Sequence, residues 1–192
     1  MENDRRTKRT RTLLKKAYIQ LLSQKKFSDI SVKELCDLAD INRGTFYLHY
    51  TDIYDLKVQL EDEIVLHLEK LVLTHATLKN SNDSYELFLD LFQFAEKNAD
   101  FFTAMLSNNS DISFLNRMQT LFKERYLEAI LKETTPYDSV DLEYSYNFIA
   151  SGFTGLINSW LTTPNRPDAE KIAKLINRIV YDGLPSLLSF LQ

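Results

Sequence analysis

The sequence runs to 192 residues, 44% hydrophobic and 26% charged, a globular composition that excludes a disordered chain and leaves room for one large domain or two small ones. Four glycines and four prolines are too few for an all-β fold built on many tight turns, and the one cysteine, Cys36, cannot staple the chain to itself. The net charge of −4 excludes a uniformly basic nucleic-acid coat, yet eleven basic residues stand against six acidic ones up to Tyr50 and twelve against twenty-one beyond it, so a cationic head is joined to an anionic body.

From about Thr7 to Gln24, Leu13, Leu14, Ala17, Tyr18, Leu21 and Leu22 recur at helical spacing with Lys and Arg between them, which predicts an amphipathic first helix. Phe27 to Ile30 reads as a turn. Ser31 and Glu34 have capping-box spacing, so a second helix starts there and buries Val32, Leu35 and Leu38. It is short, because Asp40-Ile41-Asn42 supplies turn residues and a fresh N-cap at Asn42. A third helix follows over Arg43 to His49, with Phe46, Leu48 and Tyr50 assigned to the core. Two short helices across a tight turn, braced by a longer one, have the outline of a three-helix DNA-binding head, although helical hairpins of this size also occur in proteins that never touch DNA.

A long helix starts near Thr51-Asp52 and carries Leu56, Leu60, Ile64, Leu68 and Leu71 on one stripe to about His75. The polar stretch from Lys79 to Ser84 predicts a loop. Five more helices are expected over Tyr85 to Lys97, Asp100 to Leu106, Asp111 to Glu133, Val140 to Leu161 and Asp168 to Leu188, with a loop from Thr162 to Pro167 before the last. The whole is an all-α fold of about nine helices. The expected division is 1–52 for the head and 53–192 for a helical regulatory and dimerisation domain.

The stretch from Ile30 to Tyr50, and most of all Gly44-Thr45-Phe46-Tyr47-Leu48-His49-Tyr50 followed by Asp52 and Leu56, resembles the DNA-binding head of the TetR family of transcriptional regulators. The close resemblance covers about the first 60 residues. Farther on, Gly152, Gly155 and Trp160 resemble a C-terminal type seen in many Gram-positive members. The resemblance implies that the third helix enters the major groove of operator DNA. Arg43 is then placed to pair with the O6 and N7 of a guanine, while Gly44 allows a close backbone approach. Thr45 would meet a thymine methyl or a phosphate, and Tyr47 and His49 would hold phosphates. Ser31, Lys33 and Asn42 complete the expected DNA-binding set, with Ser31 toward the backbone and Lys33 toward a base edge. One departure stands out: many members carry a lysine at the start of the fourth helix for a phosphate, where this chain has Thr51, Asp52 and Ile53. Lys57, or the cationic arm of Arg5, Arg6, Lys8 and Arg9, is the expected replacement.

The eighth and ninth helices carry apolar residues on more than one face. By resemblance they pair with a second copy as a four-helix bundle through Tyr144, Phe148, Gly152, Gly155, Trp160, Ile172, Ile176 and Ile179; a thick monomer core is the alternative. The middle helices are rich in aromatics, and an effector cavity is expected near Phe88, Phe92, Phe101, Phe102, Tyr126 and Tyr146, although such stripes also serve as plain core. No nucleophile and base pattern, phosphate loop or dinucleotide fingerprint is present, so no enzymatic activity and no cofactor are expected. Glu63, His67 and His75 do not converge as a metal set, and no metal is expected. No apolar signal segment or spanning helix is legible, which predicts a cytoplasmic protein without membrane contact. The expected function is a ligand-responsive repressor acting as a homodimer on a palindromic operator. The alternative is a regulator or activator of the same type, controlled by a partner protein instead of a small molecule.

Overall fold

The computed structural model describes residues 2–75, 81–107, 109–110, 113–122 and 139–189. Among them lie nine α-helices: α1 (Glu2–Gln24), α2 (Val32–Ala39), α3 (Arg43–Tyr47), α4 (Ile53–Thr74), α5 (Ser81–Lys97), α6 (Ala99–Met105), α7 (Ser113–Phe122), α8 (Ser139–Thr162) and α9 (Ala169–Ser189), with a 3-10 turn at Phe27–Asp29. No strand occurs among the described residues. The expected all-α class holds. Residues 123–133 of the predicted long seventh helix lie outside the described residues.

Two boundaries differ from the sequence expectation. Helix α1 begins at Glu2, so Arg5, Arg6, Lys8 and Arg9 stand on helical turns instead of in an extended arm. Helix α5 takes in Ser81 to Ser84, which read as loop. Polar residues of a first helical turn resemble loop residues because both satisfy backbone N–H groups that have no helical partner.

The chain divides into two compact units, residues 1–64 with 100–114, and residues 65–99 with 115–192. In the first, Leu14, Ala17, Tyr18, Leu21 and Leu22 of α1 are buried together with Leu35, Cys36 and Ala39 of α2 and Phe46 and Tyr50 of the third helical segment. Each such large apolar side chain removed from water contributes about 1.5–3 kcal/mol. Leu38 was expected in this core and is exposed instead, because the α2 positions that face α1 are Leu35, Cys36 and Ala39. Residues 100–114 close the unit: the Phe27 N–H donates to the Asn109 carbonyl at 2.9 Å, and Asn109 Nδ2 donates to the Leu22 carbonyl at 3.1 Å. Phe101, Phe102 and Phe114 pack together with ring centroids 5.5–6.1 Å apart.

Lys57 lies inside this unit. It is only 1% exposed, its Nζ donates to Ser113 Oγ at 2.7 Å, and Glu61 Oε1 stands 3.0 Å away. The ammonium also sits 5.5 Å from the ring centres of Phe27 and Tyr54, a favourable place for a cation. Lys57 therefore holds α4 to the 3-10 turn and the start of α7, and it is not free to take over a phosphate contact.

In the second unit α5 packs along α9 and touches α8. Its core joins Leu87, Phe88, Leu91, Phe92 and Ala95 to Phe153, Ile157, Trp160, Leu161, Ile172, Ala173, Ile176 and Val180. Phe92 meets Trp160 edge to face at 5.3 Å, and the Trp160 indole N–H donates to the Pro167 carbonyl at 2.7 Å. Arg166 covers the same indole at 4.9 Å and pairs with Glu96 at 3.2 Å, so the loop into α9 is fastened at the indole N–H edge and over its ring.

The buried Lys57–Glu61 pair generates a test. Glu61→Leu alone strands the ammonium in the core and should cost about 3–5 kcal/mol, whereas Lys57→Met/Glu61→Leu removes both charges and should recover most of that loss. Urea unfolding of the two variants distinguishes this from a solvated pair, for which neither change would matter.

Candidate nucleic-acid interface

Helix α2 ends where Asp40 adopts a left-handed conformation at φ 52°, its N–H bonded back to the last turn. Aspartate tolerates this region better than most residues with a Cβ. Three residues later α3 begins, capped by Asn42, whose Oδ1 accepts the Gly44 N–H at 2.7 Å. Such a cap is worth about 1 kcal/mol. A Cβ added at Gly44 would stand 3.1 Å from that same Asn42 oxygen, so the glycine protects the cap as well as leaving the backbone bare. Ser31 caps α2 in the same way, accepting the Glu34 N–H at 3.2 Å. Its O–H remains able to donate outward.

Phe46 is fully buried, and Tyr50, one turn on, is buried beside it with ring centroids 5.6 Å apart. Arg11 of α1 fixes Tyr50 further: its Nε donates to the Tyr50 hydroxyl at 3.3 Å, while Nη2 reaches Gln59 Oε1 at 3.2 Å and Glu63 Oε1 at 3.2 Å. The hydrogen bond to Tyr50 raises the Arg11 pKa, and burial raises that of Tyr50, so the guanidinium stays charged and the phenol stays protonated. Arg11 is thus spent on architecture. Lys25 likewise pairs with Glu34.

With that face buried, α3 turns the rest of its surface outward. Arg43, Gly44 and Tyr47 are exposed, Thr45 and His49 half-buried, and Ser31, Lys33 and Asn42 exposed nearby in the chain. All eight residues expected to meet DNA have solvent access. Leu48 was expected in the core and is instead 81% exposed. The signal was present in the sequence: Phe46 and Tyr50 are four apart and share a face, and Leu48, two residues from each, must point away from it.

The start of α4 offers no ready phosphate site. Asp52 Oδ1 accepts the Asp55 N–H at 2.8 Å, and Asp55 Oδ2 accepts the Thr51 N–H at 2.8 Å. Two carboxylates already occupy the positive end of this helix, and a phosphate brought there would meet like charge. Cys36 is buried and its thiol pKa is pushed up by that burial, which leaves it a core side chain without a thiolate.

The residues expected to line a cavity do not share one unit. Phe88 and Phe92 are buried in the second unit against Phe153 and Trp160, and Phe101 and Phe102 in the first against Phe114. Tyr126 and the side chain of Tyr146 lie outside the described residues. An open hollow of about 630 Å³ lies within the first unit, bordered by Lys16, Ile19, Gln20, Asp100, Thr103 and Ser107 and none of the expected aromatics. His67 stacks on Phe94 at 4.2 Å and His75 pairs with Asp90 at 2.9 Å. No cluster able to hold a metal ion occurs among the described residues, and none of their helices is long and apolar enough to cross a membrane.

A short helix held by its aromatic face, with a capped arginine and glycine presented outward after a three-residue turn, defines a helix-turn-helix transcriptional regulator. Comparison with known proteins agrees. Residues 82–182, more than half of the chain, match a TetR C-terminal type described as a transcriptional regulator C-terminal region. Over 115 residues the chain is 30% identical to the uncharacterised HTH-type transcriptional regulator YxbF of Bacillus subtilis, a match covering 59% of this chain and 28% of that protein. An uncharacterised HTH-type transcriptional regulator of Haemophilus influenzae is 27% identical over 140 residues, 72% of this chain and 67% of that one. Among solved structures, a TetR transcriptional regulator from Streptococcus agalactiae superposes with a TM-score of 0.66 at 23% identity, over 94% of this chain and 98% of that one. NalD, the secondary repressor of a multidrug efflux pump in Pseudomonas aeruginosa, gives 0.68 at 18% identity, over 92% and 97%. FadR of Bacillus subtilis in complex with stearoyl-CoA gives 0.67 at 13%, over 90% and 98%. The chain belongs to the TetR family of transcriptional regulators.

The cap of α4 makes a prediction about pH. Hydrogen bonds from Gln59, and then from Thr51, hold the Asp55 carboxyl below its ordinary range. A depressed carboxylate adds stability that is fully present above its unfolded pKa and is lost as the pH falls through its folded pKa. The gap in urea midpoint between the wild type and Asp55→Asn should therefore close as the pH falls from about 4 to about 2. A gap unchanged across that range would contradict the assignment.

Proposed function

We propose that this chain is a ligand-responsive repressor that binds a near-palindromic operator as a homodimer, with residues 1–52 reading DNA and residues 53–192 carrying regulation and dimerisation. The observation that carries the reading is the outward face of α3, where Arg43, Gly44 and Tyr47 are exposed to solvent. Arg43 reads a base edge and Tyr47 holds a phosphate, with Lys33, Thr45 and His49 beside them. Arg5, Arg6 and Arg9 are exposed on the first turns of α1 and supply the phosphate contact that α4 does not.

The dimer reading rests on the second unit. Tyr144 and Phe148 are 72% and 74% exposed, Ile179 and Leu175 are exposed on α9, and a Cβ added at Gly152 or Gly155 would meet nothing within 4 Å. All but Leu175 belong to the expected interface and form its open part, and Leu175 adds to it. Trp160, Ile172 and Ile176 take their burial from this chain's own core and contribute by supporting the helices. Ligand response is supported by a FadR of the same fold that holds stearoyl-CoA.

Two experiments test this. Phe148→Asp should convert a dimer to a monomer at low micromolar concentration with unchanged circular dichroism, since no core contact is lost; a wild type that sediments only as a monomer would end the dimer reading. On DNA, Arg43→Ala should relax preference at one symmetric pair of positions, at about 1–3 kcal/mol per base contact. Tyr47→Phe should weaken specific and random duplexes alike with little change in salt slope, and Arg9→Ala should lower that slope by about one unit per contact. Full operator preference in Arg43→Ala together with its loss in Tyr47→Phe would reverse the two roles.

A further inference from the structure

Leu48 is the most exposed large apolar side chain among the described residues. Its place on α3 is fixed. At about 100° per residue, Gly44 and Leu48 each lie about 160° around the helix from buried Phe46 and so form its outermost line. The Leu48 N–H donates to the Gly44 carbonyl at 3.2 Å, and its backbone keeps right-handed helical angles, φ −74° and ψ −17°. Gly44 contributes no side chain to that line. Whatever surface α3 docks against, Leu48 is the first side chain on this ridge to meet it, with Arg43 and Tyr47 exposed on one flank and Thr45 half-buried on the other.

Given that α3 enters the major groove, a reading on which this inference rests, the chemistry narrows quickly. Phosphates and most base edges offer only hydrogen-bonding groups, and a leucine pressed against them would desolvate those groups and return nothing. One apolar group is displayed in the major groove, the C5 methyl of thymine. We propose that Leu48 is a specificity-determining residue that packs on a thymine methyl in each operator half-site, beside the base edge read by Arg43. Recognition then combines a polar reader at the start of α3 and an apolar one at its end. The preference for thymine at that position comes from methyl burial, without a hydrogen bond.

The test starts from random DNA. A pool of random duplexes is enriched on the full-length wild-type protein, and each thymine of the enriched sequence is replaced in turn by deoxyuridine, which removes the methyl and nothing else. At one symmetric pair of positions the wild type should lose about fourfold in affinity for each methyl removed. Leu48→Ala should bind thymine and uracil duplexes equally well there, and Leu48→Met should retain the discrimination. Because the side chain is exposed, Leu48→Ala should leave the unfolding midpoint unchanged, which separates a recognition defect from a folding one. Wild-type indifference to deoxyuridine at every thymine, or equal methyl sensitivity in Leu48→Ala, overturns the proposal while leaving the groove-entering role of α3 intact. If no duplex is enriched at all, that role fails, and the proposal falls with it.

Discussion

A helix of five residues cannot hold its own shape in water, because too few backbone hydrogen bonds offset the cost of starting it. Helix α3 exists here because Phe46 and Tyr50 anchor one of its faces in the core of the first unit. Asn42 closes its N-terminus, and Arg11 ties the Tyr50 hydroxyl to α1 and α4. Once that face is fixed, the opposite face has no freedom left. The positions of Arg43, Gly44, Tyr47 and Leu48 follow from which aromatic rings are buried, and the outward surface of α3 is the complement of a small hydrophobic core.

The same constraint divides the cations of this region into two kinds. Arg11, Lys25 and Lys57 carry charge but are engaged with acidic or polar partners inside the first unit. Lys33, Arg43 and the cations at the start of α1 face solvent. A count of basic residues therefore overstates what a polyanion would meet. The first group contributes to the stability of the scaffold that presents the second.

The second unit shows a comparable division of apolar residues. Trp160, Ile172 and Ile176 complete the core around Phe92, while Tyr144, Phe148, Leu175 and Ile179 on α8 and α9 stay in water. Leaving large aromatic side chains exposed on a helix that also buries its other face is unfavourable for an isolated chain. The proposed dimer would cover them and remove that cost.

By itself the sequence determined the all-α class, the capped starts of α2 and α3 and the TetR-type head, because these rest on local signals: helical periodicity, Ser31 and Asn42 as caps, and the run from Gly44 to Tyr50. Periodicity also shows that Phe46 and Tyr50 share a face, a spacing that turns Leu48 outward despite the apolar character of leucine. Other features depended on residues distant in the chain. That Lys57 is buried follows from Ser113, Phe27 and Glu61 meeting around it, and that residues 100–114 join the first unit follows from Asn109 reaching Phe27 and Leu22. The separation of the aromatics into two cores has the same origin. Local pattern gives each residue a face on its own helix, and only tertiary packing decides what stands opposite that face: a core, a buried partner, or water.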